Sequence, residues 1–197
     1  MTTDILLYRP VSNFPFQKTS RVHFSVTTNG LNKPQNKLPE VLFITSFPPR
    51  ECGIATYTQD LVNALDNQFE NSFTCSICAL ESETEQHTYN QQTKYILNTD
   101  QRNAFIKTAF QINKDENIKL VVMQHEFGFF AKKEEEFKYL FNKISKPIVF
   151  VFHTVLPHPN DVLRAKVQDM ATITSSIIVM TKNAKTILIK CPRNSSR

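Results

Sequence analysis

An α/β fold, with a doubly wound and mostly parallel sheet, is what this sequence predicts, and three observations lead to it. Short apolar runs recur from residue 40 onward: Val41–Ser46, Phe73–Leu80, Lys119–Gln124, Ile148–Phe152 and Ser176–Met180. They are near-continuous and not alternating, as strands buried on both faces are. Between them lie segments whose apolar residues fall at helical spacing. Strands alternating with helices, joined by right-handed crossovers, give a Rossmann-like sheet.

Residues 1–39 carry Pro10, Pro15, Pro34 and Pro39 among scattered Asn, Ser and Thr, without a sustained period. They read as an irregular extension, with a short strand expected at His23–Thr27. The domain proper is expected over residues 40–190, followed by a tail at 191–197. After the first strand, Ile54, Tyr57, Leu61 and Leu65 make a helical stripe. The polar stretch Glu81–Asp100 reads as a loop holding a small edge strand at Tyr95–Leu97, and Asp100 is placed to cap the next helix. That helix shows Phe105, Ala109 and Ile112 on one face; the following one shows Phe137, Leu140, Phe141 and Ile144. Pro147 opens the strand at Ile148, where a missing N–H costs least. Leu163, Val167 and Met170 stripe another helix with Asn160 or Asp161 near its start, and a last helix begins at Asn183 and stops before Pro192.

The 197 residues suffice for one full-sized domain and hardly for two. The formal net charge of +5 suits an anionic partner, such as a nucleotide diphosphate, a phospholipid surface or a nucleic acid. No basic run exceeds two residues, so no nucleic-acid stripe is indicated. Four cysteines, Cys52, Cys75, Cys78 and Cys191, are too few for a disulfide scaffold in a chain of this length. Cys75 and Cys78 form a C-x-x-C, but three-residue spacing on a strand points the two thiols to opposite faces. They read as small buried residues and not as a redox pair. No stretch approaches the roughly 20 apolar residues of a membrane span. No basic segment precedes the apolar Ile5–Leu7, so a signal peptide is not expected, and a reducing cytoplasm is the default.

In an open parallel sheet, ligands bind beyond the carboxyl ends of the strands. The first such end reads Phe47-Pro48-Pro49-Arg50-Glu51-Cys52-Gly53. Only three glycines occur in the chain, so Gly53 is a candidate for a special backbone position or for close approach of a ligand. The free N–H groups of the following helix suit a phosphate or a sugar hydroxyl, and Arg50 adds a positive charge. A plain strand–helix turn needing one glycine explains the same residues. The spacing is neither a G-x-G-x-x-G loop nor a P-loop. The other two ends are His125-Glu126-Phe127-Gly128 and His153-Thr154, with His158 beyond. Histidines at two adjacent strand ends point to a cleft. A zinc site is not expected: His125 and Glu126 diverge from an extended strand, and Pro157 interrupts the His153–His158 spacing. No G-x-S-x-G elbow is present; Cys52, near a helix N-terminus, is the one thiol placed for activation.

The run Val41-Leu42-Phe43-Ile44-Thr45-Ser46-Phe47-Pro48-Pro49-Arg50-Glu51-Cys52-Gly53-Ile54-Ala55-Thr56-Tyr57-Thr58-Gln59-Asp60-Leu61 closely resembles the opening of glycosyltransferase family 4-like (group 1) proteins. Gln124-His125-Glu126-Phe127-Gly128 and Val151-Phe152-His153-Thr154 resemble later blocks of the same N-terminal domain, in the same order. The resemblance spans about residues 40–190. It implies the N-terminal, acceptor-side half of a GT-B architecture, in which two Rossmann-like domains face a cleft.

By that resemblance the activity is a retaining hexosyl transfer from a nucleotide-sugar to a glycan or lipid-linked acceptor. No cofactor or metal is implied, the nucleotide-sugar being a co-substrate. Gly53 would lie near the donor diphosphate, His153 near the transferred sugar, and His125 and Glu126 along the acceptor side. Arg50, Cys52 and Thr154 complete the set of candidate binding residues. Where many relatives have paired glycines in the first loop, this chain has Cys52-Gly53. The family's donor-domain acidic motif and basic phosphate-binding residues have no counterpart in this sequence. The chain is therefore expected to be incomplete for catalysis without a C-terminal donor domain. Peripheral association with a membrane is compatible with lipid-linked acceptors, although no amphipathic basic helix demands it. A non-catalytic module that binds a sugar or a partner chain is the alternative, and a different Rossmann-like hydrolase using Glu51 or Glu126 is a third.

Overall fold

A computed structural model describes residues 6–8, 37–125, 133–156 and 159–189. The elements in chain order are β1 (Leu6–Tyr8), β2 (Glu40–Thr45), α1 (Gly53–Gln68), β3 (Thr74–Glu81), β4 (Thr93–Asn98), α2 (Arg102–Lys114) and β5 (Ile118–His125). They continue with α3 (Glu134–Lys143), β6 (Ile148–Phe152), α4 (Asp161–Ile173), β7 (Ser176–Val179) and α5 (Lys182–Ile189). One sheet runs in the order β1-β7-β6-β5-β2-β3-β4. All neighbouring pairs are parallel except β1 with β7, which is antiparallel.

Side chains of alternate parity separate two apolar layers, as the period of two requires. On one face Leu42, Ile44, Cys78, Leu80, Val121, Met123, Phe150 and Phe152 meet Phe105, Ala109 and Ile112 of α2 and Phe137, Leu140 and Phe141 of α3. With no tryptophan in the chain, phenylalanine fills this layer. The Phe105 and Phe137 rings meet edge to face at 5.0 Å, and Phe141 and Phe150 do so at 4.8 Å, an arrangement that the ring quadrupoles favour. On the other face Phe43, Ile77, Ala79, Val122 and Val151 pack with Phe47 and with Val62 of α1.

The predicted strands and helices are present, with small shifts at their ends. Three expectations need correction. Leu6–Tyr8, read as part of an irregular extension, forms β1 against β7; His23–Thr27 lies outside the described residues. The small edge strand at Tyr95–Leu97 is a six-residue strand, β4, paired parallel to β3 with one register shift between Ile77 and Cys78. Its polar ends Thr93 and Asn98 join because the backbone ladder is indifferent to side-chain polarity, while Leu97 alone is fully buried. Asp100 does not cap α2, whose N-cap is Gln101. Its carboxylate accepts the Glu83 N–H at 3.0 Å and faces Lys133 at 3.5 Å. That backbone hydrogen bond, ahead of the lysine, holds Asp100 below the usual carboxylate range.

Strand order places a topological switch between β2 and β5. From β2 the chain moves through α1 to β3 on one side; from β5 it moves through α3 to β6 on the other. The helices α1 and α3 cover opposite faces, and the carboxyl ends of strands flanking such a switch are where open α/β sheets bind ligands.

Candidate functional site

The loop after β2 is pinned at both ends. Phe47 is buried in the apolar layer beneath α1. The Arg50 N–H donates to the Phe47 carbonyl at 3.1 Å, closing a turn around a cis Pro48–Pro49 bond. At the far end Cys52 is the N-cap of α1 in extended conformation, and its side chain makes no capping hydrogen bond. The first turn carries no acidic residue. The leading N–H groups of α1 therefore keep the positive end of the helix dipole uncovered by its own side chains.

Gly53, the first residue of α1, is exposed. A Cβ built there meets nothing within 4 Å, and its φ is not positive. A special backbone angle, one of the two reasons offered for this glycine, is therefore not its reason. Internal packing among the described residues does not require it either. The space beside its bare Cα is open among the described residues.

Arg50 is not poised toward the helix end as an unengaged cation. Its Nη2 lies 2.9 Å from Glu85 Oε2, in the loop between β3 and β4. This pairing ties the two strand-end loops together, and nothing in the local sequence around Arg50 announces it.

The third strand end carries the most specific contact. His153, directly after β6, is partly buried, and its Nε2 lies 2.7 Å from Oε1 of Gln124. Gln124 sits near the end of β5, is fully buried, and has no partner for its amide nitrogen. Tyr57 of α1 meets the imidazole edge to face at 4.8 Å, with the two planes at 89°. Burial raises the Tyr57 phenol above its ordinary range, so it stays neutral. One turn of helix separates Tyr57 from Gly53, which places both on the same side of α1. Three elements, α1, β5 and β6, thus converge on His153 beside the switch point.

Thr154 follows His153 and is exposed. The backbone of His125 ends β5, in register with Phe152; its side chain lies outside the described residues, as do Glu126, Gly128 and His158. Neither Gln124 nor Tyr57 stood out as a site residue in the sequence. Tyr57 fell within a helical stripe, and Gln124 looked like the end of a buried strand. The available signal was a lone amide closing the otherwise apolar run Leu120–Met123.

Among the described residues no three His, Cys, Asp or Glu side chains gather as a metal cluster, and no helix is long and apolar enough to cross a membrane. A groove of about 380 Å³ runs between α2 and α3, lined by Arg102, Phe105, Ile106, Glu135 and Tyr139 among others. None of the strand-end residues borders it. It is beside the switch point, and not at this groove, that α1, which begins at Gly53, meets His153 through Tyr57.

No family model and no curated protein matches the sequence. Among solved structures, an alpha-glucosyltransferase in complex with UDP-glucose and DNA containing an abasic site superposes with a TM-score of 0.41 at 11% identity, over 68% of this chain and 34% of that one. An alpha-glucosyltransferase in complex with UDP and a 13-mer DNA containing a central A:G mismatch gives 0.41 at 10% identity, over 71% and 36%. A conserved protein from Enterococcus faecalis V583 gives 0.36 at 11% identity, over 77% and 87%. The chain thus spans about a third of the length of the two glucosyltransferases. Likenesses this slight carry no argument about its activity, and the α/β assignment stands on the strand order itself.

Proposed function

We propose that this chain is the acceptor-side half of a nucleotide-sugar-dependent glycosyltransferase of the two-domain kind. In the reaction the bond between the anomeric carbon and the diphosphate oxygen breaks. A bond to an acceptor hydroxyl forms, and the hydroxyl proton passes to the leaving diphosphate oxygen. The transition state gathers positive charge on the sugar and negative charge on the leaving diphosphate. It calls for N–H donors at the phosphate and placed polar groups around the sugar. The uncapped start of α1, with open space at Gly53, suits the first need. His153, held between Gln124 and Tyr57, suits the second.

The single observation that carries this reading is the meeting of α1, β5 and β6 at His153 beside the switch point. The resemblance of three strand-end blocks to the glycosyltransferase family supports it independently. In this reading His125 and Glu126 line the acceptor side, Thr154 flanks His153, and Cys52 shapes the helix entry. Arg50 holds the first loop through Glu85. The acceptor is a glycan or a lipid-linked sugar, and a C-terminal donor domain supplies the remaining nucleotide contacts. Transfer with retention belongs to the same proposal.

The test is a titration with UDP-, GDP- and ADP-sugars, following the amides of Gly53, Ile54 and Ala55 and the His153 ring by NMR. Released nucleotide is assayed in the same samples. Weak, millimolar-range shifts confined to these groups and lost in Gly53→Val are expected. An absence of shifts with every nucleotide, even when a donor domain is supplied, would sink the reading. Binding that yields no transfer even with a donor domain supplied would instead favour a non-catalytic sugar-binding module.

A further inference from the structure

Gln124 is a costly residue for its position. The strand around it is apolar, with Val121, Val122 and Met123 preceding it in the core. The side chain is fully buried, yet its amide nitrogen finds no hydrogen-bond acceptor. A buried donor without a partner destabilises a fold, and a methionine of similar length would fill the same space without that loss. The core therefore gives no reason for a glutamine. Its one polar contact, 2.7 Å from Oε1 to Nε2 of His153, does.

A carbonyl oxygen can only accept. Facing Nε2, it favours the imidazole that carries its proton there and opposes the one with a lone pair there. Tyr57, packed edge to face on the same ring, restricts the rotation by which the imidazole would present its other nitrogen. We propose that Gln124 is a positioning residue that holds the neutral His153 imidazole in its Nε2–H tautomer. In that tautomer Nδ1 is the acceptor of the ring, so any group that meets Nδ1 must donate to it. A sugar hydroxyl qualifies and a phosphate oxygen does not. The proposal rests on the assignment of His153 to the sugar only for this last step; the tautomer itself is independent of what binds.

The experiment is ¹⁵N–¹H correlation NMR of the whole chain above about pH 8, where an ordinary imidazole of pKa about 6.5 is neutral. His153 is assigned by the signals lost in His153→Gln. In the wild type the Nε2–H form is expected to exceed the Nδ1–H form by tenfold or more. In Gln124→Met the ratio should relax toward that of N-acetyl-histidine amide in the same buffer. Gln124→Glu, which keeps an acceptor oxygen, should restore the excess. Nδ1–H dominance in the wild type, or a Gln124→Met protein that folds with the wild-type ratio, overturns the proposal. The wild-type and Gln124→Glu ratios decide it if the methionine variant does not fold. A failed nucleotide titration leaves these ratios unaffected, so the two readings fall separately.

Discussion

Thr45, the last residue of β2, and Thr58, one turn into the body of α1, place their hydroxyl oxygens 2.9 Å apart in fully buried surroundings. Thr45 Oγ1 also donates to the Ser46 carbonyl at 2.9 Å, and Thr58 Oγ1 donates to the Ile54 carbonyl at 2.8 Å. Two hydroxyl protons serve three contacts, so the pair shares them. This clasp fixes the start of α1 against the strand that leads into it, and with it the place of Gly53. Thr58→Val keeps the shape and removes one of the two hydroxyls, and with it the contact between them. We expect a loss of about 1–2 kcal/mol, read as a lower urea midpoint at unchanged slope. An unaltered midpoint would mean that apolar packing alone seats the helix.

Gly53 allows stability and function to be separated. With no positive φ and with open space where a Cβ would stand, Gly53→Ala should be at least as stable as the wild type. The gain should be at most about 1 kcal/mol, from reduced freedom of the unfolded chain. If the bare Cα serves a ligand, the same variant should weaken nucleotide-sugar binding about tenfold or more, and Gly53→Val more still. Calorimetric titration beside thermal unfolding checks both. A destabilised alanine variant with intact binding would return Gly53 to the role of a simple turn residue.

The parts of this fold legible in the sequence are those set by local patterning. The apolar runs of β2, β3, β5, β6 and β7 and the stripes of α1, α2 and α3 follow directly from burial on two faces. Leu6–Tyr8 was not legible, because a three-residue strand has too few residues to show a period and its partner Ser176–Val179 is remote in the chain. The engagement of Arg50 with Glu85 was hidden for the same reason. In the candidate site, His153 and Gly53 declared themselves by residue type at a strand end. Gln124 and Tyr57 did not, since each fits a buried strand or a helical stripe until β5, β6 and α1 are brought side by side.

The two strand cysteines are predicted to be chemically inert. Cys78 lies in the layer under α2 and α3, while Cys75 packs on the layer under α1, so the C-x-x-C spans the sheet. Burial pushes each thiol up to about 12, helped at Cys75 by the neighbouring Asp66. At pH 8 almost none of either is thiolate, the reactive form. Iodoacetamide treatment of the folded protein followed by peptide mass analysis should leave Cys75 and Cys78 unmodified until denaturant is added. Fast labelling of either, or a disulfide between them, would contradict this placement.

At the opposite ends of the strands, Lys94 stands between Glu40 and Asp115, and its Nζ lies 2.7 Å from Glu40 Oε2. Ser76 donates a hydrogen bond to the same Glu40 carboxylate. Burial alone would lower the Lys94 ammonium, but its hydrogen bonds to Asp115 and Glu40 outweigh it and raise the group. Burial would likewise raise Asp115, and Lys94 with the Asn117 N–H outweighs it, leaving the carboxyl below its ordinary range. Asp115, with its folded pKa depressed, contributes stability that is complete above the ordinary carboxylate value of about 4. That contribution is lost as pH falls through the lower folded value. Lys94, with its folded pKa raised, contributes below the ordinary value of about 10.4 and loses that contribution as pH rises through the higher folded value. Lys94→Met should therefore cost about 1–2 kcal/mol near neutrality, a figure tempered by the 30% exposure of the lysine. The difference in Tm between wild type and variant should hold from about pH 5 to pH 10 and shrink beyond either end. A variant as stable as the wild type at pH 7 would show that the cluster is solvated and contributes nothing to the fold.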